Sequence, residues 1–168
     1  MSKYKKLKVD YKTPLAGQLK KLGIESYIDL SQTTDQYPYT DYITDAEDGK
    51  EMLGKSVNEA TEELKKVNRR PLNIYEGLAL FRKNKKVLQN HYIDLGGSRY
   101  GSDSAPYLYL FDDRPRLGYD SLAGSYDKWG SASTAAASGT SALDSGILGR
   151  LLEVERKVDN LWKWRANH

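Results

Sequence analysis

Cysteine is absent from the sequence, which excludes disulfide bonds, thiolate zinc sites and a cysteine nucleophile. Histidine is nearly absent: only His91 and the terminal His168 occur. Two histidines so far apart, with no thiol to help, make a histidine-based metal centre or catalytic triad unexpected. No apolar run approaches the ~20 residues that span a bilayer. The first residues, MSKYKKLKVDYK, lack the apolar core of a secretory signal. The expectation is a protein that needs no membrane, either cytoplasmic or carried on a larger particle such as a virion. Phenylalanine is also scarce, with two residues against thirteen tyrosines. A core favours Phe and Leu, because a buried phenol needs a hydrogen-bond partner. Tyrosine in such excess points to a surface that touches something.

What is present suits one modest domain of 168 residues with a short appendage. The net charge of +3 does not by itself imply a nucleic-acid partner. Charge is unevenly spread, however. Residues 1–21 hold seven lysines against Asp10, while residues 25–51 hold eight acids against Lys50. A basic arm can grip phosphate, but two solvated, partly self-neutralising segments explain the same pattern, so nucleic acid is not the expected partner.

Leu7, Val9 and Tyr11 alternate with polar residues, as in a half-buried strand. Thr13-Pro14 reads as a helix start with Thr13 as cap, Leu15, Leu19 and Leu22 as its apolar face and Gly23 as its end. Residues 31–54 read as a long polar loop. Ser56 and Glu59 form a capping box, followed by the stripe Val57, Ala60, Leu64 and Val67, with Glu62 spaced to pair Lys66. Asn73 and Glu76 repeat the cap, followed by Ile74, Leu78, Phe81 and Leu88. These two helices are expected to pack as the main helical layer. Tyr92 to Leu95 is strand-like.

The texture then changes. Over residues 96–133 no helical period survives, and short alternations are broken by Pro106, Pro115 and glycines, which predicts short strands and irregular loops. Residues 131–142 are small and low in complexity, a linker composition. Beyond them, Leu151 and Val158 fall at heptad position a, with Ile147, Val154 and Leu161 at d. That spacing predicts an amphipathic or coiled-coil helix over 143–168. It either docks on its own domain or makes a homo-oligomer through 147–161, with Trp162 and Trp164 adding contact area.

Chemistry is hard to find in these residues. Gly96-Gly97-Ser98-Arg99-Tyr100-Gly101 lacks the Lys-Ser/Thr ending of a phosphate loop, and Pro106 follows where a helix should start. A tight turn, with Arg99 tying neighbouring loops, is the expected role. Asp103, Asp112, Asp113, Asp120 and Asp127 supply oxygens of the type calcium favours, but no spacing matches an EF-hand loop. No carboxylate pair is singled out for acid/base work. His91 is expected to serve a helix end. No catalytic residue, metal or cofactor is therefore assigned. Tyr100, Tyr107, Tyr109, Phe111, Tyr119, Tyr126 and Trp129 are interleaved with Asp, Ser and Gly, the composition of antibody-like paratopes. There Tyr gives area at low entropy cost, and the small polar residues adapt. The competing reading is a sheet whose tyrosines alternate between core and solvent.

Gly97-Ser98-Arg99-Tyr100, Pro106-Tyr107-Leu108, Arg114-Pro115-Arg116-Leu117 and Gly130-Ser131-Ala132-Ser133 form a spaced frame. Across residues 71–133 this frame resembles the C-terminal variable domain of target proteins of diversity-generating retroelements. The resemblance implies an α+β, C-type lectin-like domain over residues 1–133, with two packed helices, short irregular strands and a variable display surface at 96–133. Residues 134–142 are then the linker, ahead of the heptad helix. Gly97, Ser98, Pro106, Leu108, Pro115, Leu117 and Gly130–Ser133 are implied scaffold. Tyr100, Asp103, Tyr107, Tyr109, Phe111, Asp112, Asp113, Tyr119, Asp120, Ser121, Tyr126 and Asp127 are implied ligand-binding positions. Tyr, Asp, Ser and Gly are residues that adenine mutagenesis of an asparagine codon produces. In the family the variable segment usually ends the chain, whereas here a linker and heptad helix follow. The implied function is non-catalytic binding of a protein or cell-surface ligand. The alternative is a structural protein of a phage or similar particle, its tyrosines packing against other subunits.

Overall fold

The computed structural model describes residues 4–136, which form a mixed α+β domain. The predicted heptad helix and most of the predicted linker lie outside the described residues.

The alternation at Leu7 and Val9 gives strand β1 (Tyr4–Lys8) with Leu7 buried, and Val9 is buried just past its end. Helix α1 (Leu15–Leu22) follows with Leu19 buried. Pro14, not Thr13, occupies the cap position and supplies no side-chain bond. The helix ends on Gly23 at φ 70°, the left-handed conformation in which glycine meets no steric penalty. Short strand β2 (Glu25–Ser26) comes next.

The stretch 31–54 is not the long loop its polarity predicts. It holds β3 (Thr33–Asp35), β4 (Tyr42–Ala46) and two single 3-10 turns. Its strands are short and largely solvent-facing, so they carry few apolar residues; only Ile43 and Ala46 of β4 are buried. Strand β4 pairs antiparallel with β1, and the Lys6 ammonium sits 4.1 Å from the centre of the Tyr42 ring.

Both predicted capping boxes are present, at Ser56/Glu59 on α2 (Val57–Lys66) and at Asn73/Glu76 on α3 (Ile74–Lys83). Strand β5 (Arg69–Pro71) lies between them. Every residue of α3 from Ile74 to Phe81 is buried, so this helix runs through the core. The expected pairing of α2 with α3 is replaced: α1 packs on α3, while α2 packs on β5 and a later strand. The ends of α2 also differ from expectation. Val67 is exposed past the helix, and the ion pairs are Glu62–Lys65 and Glu63–Lys66 instead of Glu62–Lys66. Leu88 is buried from a separate 3-10 turn, because Asn84 ends α3 and caps that turn.

The region 92–136 is far more regular than its prolines and glycines predict. It forms β6 (Tyr92–Asp94), β7 (Ser98–Tyr100), β8 (Ser104–Phe111), β9 (Arg114–Ser121), β10 (Trp129–Ser131) and β11 (Ser133–Ala135). The main sheet has the order β10-β6-β8-β7-β3, with β9 joining β8 to β2. Strands β8 and β9 make an eight-rung hairpin from Ser104↔Ser121 to Phe111↔Arg114. Its two loop residues, Asp112 and Asp113, both have positive φ (52° and 59°), the type I′ geometry that matches strand twist. Pro106 and Pro115 are accommodated within the ladder. Residues 131–135, expected as the start of a linker, are instead buried sheet. Strand β11 pairs with β5, and Ser131, Ala132, Ser133 and Thr134 are all buried. Small side chains fit there because two backbones approach closely: a Cβ on Gly130 would strike the backbone of Gly49.

Candidate functional site

Hairpin register sorts the side chains into two faces, because directly opposed residues in an antiparallel pair point the same way. Leu108 opposes Leu117, and both are fully buried in the core. The residues that alternate with them along each strand therefore point to the other face: Tyr107 opposes Gly118, Tyr109 opposes Arg116, and Ala105 opposes Asp120. Strand β6 extends this outer face, with Asp94 opposing Tyr107. Strand β10 extends it again, with Trp129 beside Tyr92 and Ser131 beside Asp94.

An aromatic patch results. Trp129 lies 4.2 Å from Tyr107, 4.4 Å from Tyr126 and 5.1 Å from Tyr92, centroid to centroid. Tyr109 closes the group at 5.0 Å from Tyr107 and 5.3 Å from Tyr92. Aromatic pairs at these separations each contribute about 0.5–1.5 kcal/mol beyond area burial, so the rings support one another without reaching the core. Gly118 makes room for the arrangement: its Cβ position lies 3.1 Å from the Tyr107 hydroxyl and ring.

Carboxyls sit beside these rings. Asp94 is buried, and its pKa is pushed up to about 7 by burial, then by repulsion from Asp120. The Tyr107 phenol is raised to about 12, chiefly by burial and then by its neighbours Tyr109 and Asp120. Tyr126, folded back by the loop after β9, is raised because Asp120 accepts from its hydroxyl and repels the phenolate. Among the described residues, Asp120 Oδ2 and Ser131 Oγ are buried with no hydrogen-bond partner.

The twelve expected ligand-binding residues do not form one site. Tyr107, Tyr109, Asp120 and Tyr126 belong to the aromatic face. Phe111 shares that face toward the hairpin tip, where the Arg116 guanidinium stacks 4.9 Å from its ring centre and donates to Tyr27 Oη at 2.8 Å. Tyr119 falls on the opposite face, half exposed, paired with Tyr100 at 4.4 Å. Tyr100 Oη there accepts from the Asp29 amide at 3.3 Å. Asp112 and Asp113 form the turn. The Asp103 carbonyl and Ser121 Oγ accept amide bonds from Leu122 and Ala123 at the far end of the hairpin. Asp127 is exposed on the loop carrying Tyr126.

Reading the sequence alone missed Tyr92 and Asp94 as members of this face. The signal was there in the alternation Tyr92-Ile93-Asp94, where buried Ile93 places its two neighbours on the far side. Ser131 was assigned to scaffold, yet its hydroxyl faces the same side as Asp94.

The frame residues behave differently from the displayed ones. Gly97, Ser98, Pro106, Leu108, Leu117 and Gly130–Ser133 are buried, whereas Pro115, also expected in the frame, is only half-buried. A Cβ on Gly97 would meet the backbone of Leu72 and Asn73 at 2.6 Å. Ser98 Oγ accepts from Ile74 N at 3.0 Å and donates to Asp35 at 2.6 Å, locking this turn to the α3 N-terminus. Arg99 folds back on its own turn, bonding the Gly96 and Ser98 carbonyls, and does not tie separate loops. His91 is not at a helix end; its buried ring holds the Asp48 carbonyl at 2.7 Å.

Comparison with protein-family models, curated proteins and solved structures gave no match to this chain. The geometry therefore carries the functional reading.

Proposed function

We propose that the protein is a non-catalytic ligand- or receptor-binding module. It displays a Tyr- and Asp-rich surface on a C-type lectin-like scaffold, in the manner of retroelement-diversified variable proteins. The observation that carries this reading is the ring cluster of Tyr92, Tyr107, Tyr109, Tyr126 and Trp129 on the sheet face opposite the core. Rings arranged in this way are rigid anchors of low entropy cost, and they account for much of the affinity at recognition surfaces. The division between buried frame and accessible intervening residues supports the same reading, since a diversified protein must vary its contacts without touching its core.

Sequencing many copies of this gene from one source tests the proposal. Differences confined to the twelve displayed positions, with Gly97, Ser98, Leu108, Leu117 and Gly130–Ser133 constant, are expected. Differences spread evenly along the chain overturn it. The patch also fits subunit packing in a particle, and sedimentation of a Tyr107→Ser, Tyr109→Ser double variant separates the two readings. A recognition surface leaves the mass unchanged, whereas loss of assembly assigns the patch to packing.

A further inference from the structure

The aromatic face contains buried polar atoms whose hydrogen bonds the described fold leaves incomplete, even though the Asp120 carboxyl engages the Tyr126 hydroxyl. The Asp94 carbonyl accepts from Ala132 N, but among the described residues its buried carboxyl has no hydrogen bond, and no salt bridge reaches Asp94 or Asp120. Asp120 Oδ2 and Ser131 Oγ are buried orphans. Such groups cost stability when left unmade and are retained where something else completes them. Arg116, on the same hairpin, donates from Nη1 to Tyr27 and lies over the Tyr27 and Phe111 rings, while its Nε is buried without a partner.

Three aromatic rings adjoin these acceptors. Tyr107 opposes Asp94 across one edge of β8, and Asp120 opposes Ala105 across the other, one same-face position along; Trp129 packs on Tyr107 and Tyr126 on Trp129. Ring faces attract cations, Trp most strongly, and the attraction grows where water is excluded. Carboxylates and ring faces together describe a site for an organic cation. Metal is disfavoured: calcium collects six or more oxygens, and no group of three metal-capable side chains occurs among the described residues.

We propose that Asp94, Asp120 and Ser131, flanked by Tyr107, Tyr126 and Trp129, form a subsite for a guanidinium or primary ammonium group presented by an arginine or lysine of a protein ligand. The inference rests on the recognition reading and names the chemistry at its centre. A charged N–H donor completes an unpaired carboxylate oxygen most strongly, so a quaternary ammonium, which has no donor, is a poorer fit. Lysine and arginine side chains also carry apolar stems that lie against rings.

The test is titration of the full chain with N-acetyl-arginine methylamide and N-acetyl-lysine methylamide, followed by NMR at the Trp129 indole N–H, which W129F identifies. Saturable shifts are expected in the millimolar range, on the order of a single desolvated charged contact. The neutral N-acetyl-citrulline methylamide and tetramethylammonium should bind at least roughly tenfold more weakly, since they lack the charge or the donors. Asp94→Asn and Asp120→Asn should each weaken binding about tenfold with circular dichroism unchanged. Ser131→Ala gives a second, milder check should either carboxamide disturb folding. Equal binding of the citrulline or tetramethylammonium probe overturns the proposal, as does full binding in both carboxamide variants or the absence of any saturable shift. Those failures leave the gene-copy comparison untouched, so the subsite and the wider recognition reading fall separately.

Discussion

Arg70 and Glu76 meet through two parallel hydrogen bonds, Nη1 to Oε1 at 2.9 Å and Nη2 to Oε2 at 2.8 Å, with Glu76 wholly buried. The same Oε1 accepts the Asn73 amide at 2.9 Å, so the ion pair is built into the capping box of α3. Asn73 Nδ2 in turn donates to Tyr11 Oη at 3.0 Å, and Tyr11 stacks on Tyr39 at 4.0 Å. The same helix start is tied to the 96–98 turn separately, by Ile74 N donating to Ser98 Oγ and Gly97 N donating to the Leu72 carbonyl. Arg70→Ala leaves a buried carboxylate without its cation, and the expected loss is about 3–5 kcal/mol, read as a lowered urea midpoint.

Gly97 and Gly101 separate crowding from conformational strain. Gly97 is closed in by the Leu72–Asn73 backbone, whereas Gly101 has φ 62° and open space at its Cβ position. Gly101→Ala should cost about 1 kcal/mol, from the left-handed conformation alone. Gly97→Ala should cost more, because backbone rather than a flexible side chain must move. Thermal unfolding of the two variants side by side checks the order.

The hairpin turn gives a stabilising prediction. Asp112 and Asp113 both occupy positive φ, which glycine adopts freely. Asp113→Gly should raise stability by about 0.5–1 kcal/mol, since Asp-Gly is a preferred type I′ pair. Denaturant unfolding measures it. A fall in stability would mean that the Asp113 side chain does more for the turn than its backbone costs.

Asp94 carries the pH prediction. Its folded pKa of about 7 lies above its ordinary 3.8, so the folded chain holds more protons than the unfolded one between those values. Stability from this group is fully present below pH 3.8 and is lost as pH rises through 7. Asn keeps the shape without the charge. The advantage of Asp94→Asn over the parent should therefore grow between pH 4 and pH 8, by on the order of 2 kcal/mol. Other carboxyls run the opposite way: Asp10, held by the Thr13 and Lys12 bonds, is lowered to about 2. The difference between variant and parent is thus the quantity to follow. A difference that stays constant with pH refutes the assignment.

The helices were legible wherever their signals were local. Two capping boxes and the Gly23 stop depend on residues within four positions of each other, and each is present where the sequence places it. The strands of residues 31–54 were not, because their pairing partners lie far away in sequence and their exposed sides are polar. The partner of α3 was likewise invisible, since the apolar stripes of α1 and α2 are similar and only packing chooses between them.

The stretch 96–133 divides along the same line. Its sequence by itself determined that tyrosine, not phenylalanine, would dominate and that no cysteine chemistry was available. Tertiary structure alone decided which tyrosines stand together. A pleated strand turns alternate side chains to opposite faces, so pairing register sends Tyr107 and Tyr109 to one side and Tyr119 to the other. Register also brings Tyr92, Asp94 and Ser131, from strands outside the hairpin, beside Tyr107. The charge repulsion and the missing hydrogen bonds at Asp94 and Asp120 exist only once those strands are aligned. Burial is a property of neighbours across the sheet, and no residue carries it alone.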